Sequence, residues 1–64
     1  MDLRKDIAEA IERLKADIER LENREESYWN KALRKPCAEV LADAQQIMGD
    51  AKILMQRIKS YKLS

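Results

Sequence analysis

Ala32-Leu33-Arg34-Lys35-Pro36-Cys37-Ala38-Glu39-Val40 is the stretch whose reading decides the fold, because an apolar stripe of helical spacing runs into it from each side. Pro36 has no N–H to give a preceding carbonyl and disfavours helical geometry at Lys35, so an unbroken helix here would cost about 3 kcal/mol. Upstream, Ile7, Ile11, Leu14, Ile18 and Leu21 recur three and four apart, followed by Tyr28 and Ala32. Downstream, Val40, Ala44, Ile47, Ala51, Leu54, Ile58 and Tyr61 do the same, and this stripe keeps its phase across Gly49, which favours one continuous helix. The spacing predicts an all-α chain, an antiparallel two-helix hairpin of coiled-coil type. Helix 1 is expected over about 2–34 with Asp2 as its cap, the bend at 35–37, and helix 2 over about 37–62, all in a single domain.

Folding the chain back at Pro36 sets residues whose numbers add to about 72 opposite one another. Ile18 then meets Leu54, Leu14 meets Ile58 and Ile11 meets Tyr61. Further along, Leu21 faces Ala51, Tyr28 faces Ala44 and Ala32 faces Val40, so large groups oppose small ones. Glu25 opposite Ile47 is the misfit. A parallel two-stranded coiled coil competes with this arrangement, since isoleucine and leucine alternate along the first stripe. It would bring Asp17 against Glu22 of its partner and Glu25 against its own copy. A single kinked rod is the other competitor, because the bend lacks the glycine or asparagine that commonly closes a helix.

Sixty-four residues make one small domain, and a single core of this size rarely supplies more than about 3–5 kcal/mol unaided. Cys37 is the sole cysteine and there is no histidine, so neither an internal disulfide nor a usual zinc site is available. A lone thiol fits a reducing cytoplasm, and neither a signal-peptide core nor an apolar run of membrane-spanning length is present. The expected location is cytoplasmic, without a membrane role. Association is the remaining source of stability. The net charge of +1 hides an asymmetry: residues 1–27 carry six basic and nine acidic side chains, residues 28–64 seven basic and three acidic. The two halves attract, which weakens any case that the positive charge exists for nucleic acid.

Leu41, Met48 and Met55 recur every seven residues beside the second stripe and widen its apolar face beyond what one helix covers. They are the expected oligomer or partner interface, pairing two hairpins into a four-helix bundle. Methionine adapts its shape, so this face suits a copy of itself or a helix of another protein. At the hairpin tip, Tyr28 and Trp29 stand near Lys31, Arg34 and Lys35, a mixture of aromatics and cations with which a nucleotide or single-stranded nucleic acid could stack and pair. The plainer role for these groups is a bundle edge with cations facing the negative end of helix 1. Lys52, Arg57, Lys59 and Lys62 are expected to face the acidic start of helix 1, Asp6, Glu9 and Glu12, as a compensated surface. Cys37 reads as a small apolar filler at the bend rather than a nucleophile. No paired carboxylates stand apart from the surface charge, and there is no nucleophile triad or phosphate loop. The expectation is therefore a non-enzymatic helical interaction or regulatory protein, a homo-oligomer that binds or occludes a partner protein. No cofactor or metal is expected; nucleic-acid or nucleotide binding through the tip is the alternative.

Overall fold

A computed structural model describes residues 3–25 and 27–63, the last two as backbone only. Two helices pack against each other, α1 over Leu3–Glu22 and α2 over Ala38–Leu63. A two-residue antiparallel strand pair, β1 over Trp29–Asn30 and β2 over Lys35–Pro36, closes the connection between them. The chain thus returns on itself as a mostly helical hairpin. Asp2, expected as the cap of helix 1, lies outside the described residues.

Helix 1 ends twelve residues earlier than the expected boundary at 34. Asn23 is a poor helix former, and Glu22 and Glu25 set negative charge against the negative end of the helix. The last turn tightens, with Arg24 N–H bonding the Leu21 carbonyl at 3.4 Å. The Tyr28 hydroxyl donates to the same carbonyl at 2.7 Å, so Tyr28 closes helix 1 from outside rather than belonging to its stripe.

The reversal is likewise not a bend at 35–37. Trp29 pairs with Pro36 and Asn30 with Lys35 across the turn 31–34, where Leu33 N–H bonds Asn30 Oδ1 at 3.0 Å. Arg34 closes this turn in the left-handed region, at φ 54°. Aromatic Tyr28 and Trp29 suit an extended strand, and proline is tolerated at the edge of a two-stranded ladder. Cys37 N–H extends the ladder to the Tyr28 carbonyl at 3.0 Å, and the Cys37 carbonyl then accepts from Leu41 as α2 begins. α2 runs unbroken through Gly49.

Moving the reversal towards the N-terminus shifts the helix register by five residues: Arg24 meets Asp43 and Asp17 meets Asp50, so facing numbers add to 67. Both helices also turn by one stripe. α1 buries Ala10 and Asp17 between half-buried Ile7, Leu14 and Leu21, while α2 buries Asp43 and Asp50 between half-buried Val40, Ile47 and Leu54. Ile11, Ile18, Ile58 and Tyr61, expected inside the seam, stand exposed. Ala10 is the only buried apolar side chain among the described residues. The Cα atoms extend 51 × 17 × 12 Å, a single layer of structure with no second layer to enclose a core.

Candidate functional site

Charged groups hold the middle of the seam. Asp17, Asp43 and Asp50 are only 5%, 6% and 8% exposed. Arg20 Nη2 donates to Asp17 Oδ1 at 2.8 Å and its Nη1 lies 4.0 Å from Asp43 Oδ1. Arg24 Nε donates to Asp43 Oδ2 at 2.5 Å. That bond, with the nearby Arg24 and Arg20 charges, holds Asp43 below its ordinary pKa in spite of burial. The Asp17 and Asp50 carboxyls face each other across the seam, and Asp17 Oδ2 is buried there without a hydrogen-bond partner. The neighbouring Asp50 carboxyl and burial raise Asp17, while the Asp17 carboxyl and the hydrogen bond from Gln46 lower Asp50 in spite of burial. Such a cluster fixes register more than it adds stability, since ionic groups taken out of water lose most of what pairing returns.

The cleft lined by Leu3, Asp6, Ile53, Gln56, Arg57 and Ser60 lies towards the helix ends remote from the turn, and Arg57 Nη1 is already bonded to the Asp6 carbonyl at 2.7 Å. Among the described residues, no three His, Cys, Asp or Glu side chains are grouped to hold a metal ion, and no helix is long and apolar enough to cross a membrane. Of the cations expected to face the acidic start of helix 1, Arg57 meets Glu9 at 3.9 Å. The Lys62 side chain lies outside the described residues.

The cleft does fix which flank of the seam is which. Asp6 lies on one flank of α1, in helical phase with Arg13 and Arg20, and it shares the cleft with Ile53 and Ser60 of α2, in phase with Gln46. The opposite flanks therefore lie side by side on the other surface. There α1 contributes Ile11 and Ile18, and α2 contributes Ala44, Ala51 and Ile58 with Leu41, Met48 and Met55 beyond them. Exposure is 38% and 39% for Ile11 and Ile18, and 49%, 60% and 56% for Leu41, Met48 and Met55. Most of the exposed large apolar side chains of the two helices thus gather on one surface of the hairpin, while the other carries Asp6, Arg13, Arg20, Gln46 and Ser60 with Ile53 among them. The sequence reading found Leu41, Met48 and Met55; it assigned Ile11, Ile18 and Ile58 to the seam because their spacing fits either side of it.

The accessible surface, 5442 Å², exceeds the roughly 4,200 Å² of a compact monomer of this mass. The excess, on the order of 1,200 Å², is more than one partner commonly buries in a stable complex, about 800 Å².

The tip presents a second surface. Trp29, Lys31, Arg34 and Lys35 are all exposed on the short strand pair and its turn, as is Leu33 at the apex, while exposed Tyr28 precedes the strand pair and reaches back to helix 1. Hydrogen bonds order the base beneath them: Ser27 Oγ donates to the Trp29 carbonyl at 3.0 Å, and Cys37 Sγ donates to the Ser27 carbonyl at 3.0 Å. Cys37 is a half-buried packing residue of this base. The chain matches no family model, and no curated protein and no solved structure is found similar to it.

Proposed function

We propose that this chain is a non-enzymatic helical interaction protein that works as a homo-oligomer, two hairpins forming a four-helix bundle that binds or occludes a partner protein in a reducing, cytoplasmic setting. One observation carries this reading: the hairpin buries carboxylates in its own seam while leaving isoleucine, leucine and methionine exposed. Apolar area left in water costs about 25 cal/mol per Å², so a face of this kind favours association. Met48 lies at its centre. Met48→Glu is expected to give a monomer with a lowered melting temperature, and to abolish recovery of any specific protein in a pulldown from the native host. A Met48→Glu chain that assembles and captures like wild type contradicts the reading.

The tip supports a second reading, binding of a nucleotide or single-stranded nucleic acid. Half-exposed Trp29 sits on an ordered strand pair, and no acidic residue occurs between Ser27 and Ala38. Stacking of a base on Trp29 would quench its fluorescence, with an affinity that falls as salt rises. An unchanged spectrum on titration with oligonucleotides and nucleotides removes this second reading.

A further inference from the structure

We infer that a second copy of the chain docks on the joint face of α1 and α2, with Ile11 and Ile18 as much a part of the interface as Met48 and Met55. This rests on the homo-oligomer reading and goes beyond the stripe on α2 alone.

Three observations place the partner there. First, α1 carries its exposed isoleucines one stripe away from the seam, on the flank that adjoins the exposed apolar residues of α2. The face is therefore two helices wide and stands opposite the flank that carries Asp6, Arg13, Arg20 and Gln46. Second, the hairpin is one layer thick, and half-buried Ile7, Leu14, Ile47 and Leu54 lie between the charged seam and this face. A second layer laid on the face would enclose those four residues, and the aspartates would remain at the outer edge of the intramolecular seam. Third, the surplus surface of each chain exceeds what one partner commonly buries in a stable complex, so the chain has area enough for a stable interface with a further copy.

A copy of the same chain is the occupant because it brings an equal apolar width and the same missing layer, as an isologous two-fold interface requires. Lys52 and Lys59 border the face on the α2 side, and on the α1 side Lys15 lies in phase with Ile11 and Ile18, with Glu12 and Glu19 beyond it. The rim thus offers both signs of charge to a partner that carries the same pair of borders.

Sedimentation velocity across a concentration series, with circular dichroism to follow helix content, tests this on four chains: wild type, Ile18→Glu, Met48→Glu and Ile53→Glu. A buried unpaired carboxylate is expected to weaken dimerisation by on the order of 100-fold in both Ile18→Glu and Met48→Glu. Ile53 lies on the opposite flank with the same exposure as Ile11, so Ile53→Glu is expected to dimerise like wild type. Should Ile18→Glu lose its helix content, Ile18→Gln, uncharged and helix-compatible, is expected to show the same weakening on a smaller scale. An Ile18 variant that keeps wild-type dimerisation while Met48→Glu dissociates overturns the joint face and leaves the homo-oligomer reading standing. Loss of dimerisation in Ile53→Glu equal to that in Ile18→Glu also overturns it. A wild type that is monomeric throughout overturns both.

Discussion

Asp17 and Asp50 face each other in the middle of the seam, where Asp17 Oδ2 is buried without a hydrogen-bond partner. The groups around them are Arg13 and Arg20 from α1 and Asp43 and Gln46 from α2. Asp17 titrates above its ordinary value of 3.8, so its contribution to stability is complete below 3.8 and is lost as pH rises through the raised value. Asp43 and Asp50 titrate below 3.8; their contributions are present above it and are lost as pH falls through the lowered values. The contribution of these three groups therefore declines as pH rises through the raised Asp17 value and as it falls through the lowered values of Asp43 and Asp50. An asparagine at position 17 would set no second negative charge beside Asp50 at any pH. Asp17→Asn is thus expected to melt a few degrees above wild type at pH 7, with the two curves converging as the pH approaches 3.8. Thermal melts followed by circular dichroism from pH 4 to 7 check this, and a wild-type melting temperature that is flat over that range contradicts it.

At the scale of elements, α2 carries one avoidable cost. Gly49 is exposed in mid-helix, and a Cβ added there meets nothing within 4 Å. Gly49→Ala should stabilise the chain by about 1 kcal/mol in urea melts, through helix propensity alone. Destabilisation would mean that another helix closely approaches this backbone. The two helices, their packing and their reversal were legible because apolar residues three and four apart leave few alternatives. The end of α1 was less so. The stripe seemed to continue through Tyr28 and Ala32, and the weight belonged instead to Asn23 and the glutamates beside it, which oppose the helix dipole. The strand pair carries no Asn-Gly or Gly-Gly signal; its turn is closed by Arg34 in a conformation that sequence seldom announces. Seam and open face were exchanged in part for a physical reason. Ile7, Leu14 and Leu21 border both, so spacing alone does not say whether Asp17 or Ile18 lies inward. The choice of Asp17 depends on local Arg20 together with Asp50 across the register and the Arg24–Asp43 pair, information that lies largely in pairs distant in sequence.

As a whole molecule the hairpin is a single layer whose apolar groups outnumber the places it has to bury them. One helix pair with a charged seam and, among the described residues, a single buried alanine supplies little of the burial that stabilises a domain of this length. A second copy on the face of Ile11, Ile18, Met48 and Met55 supplies the missing layer and accounts for the surplus surface. Sedimentation equilibrium of the wild-type chain at micromolar concentration tests this most directly. The account predicts a species of about twice the chain mass of 7.5 kDa, dissociating only on dilution. A single species of 7.5 kDa that keeps its helix content across the whole concentration range would contradict it.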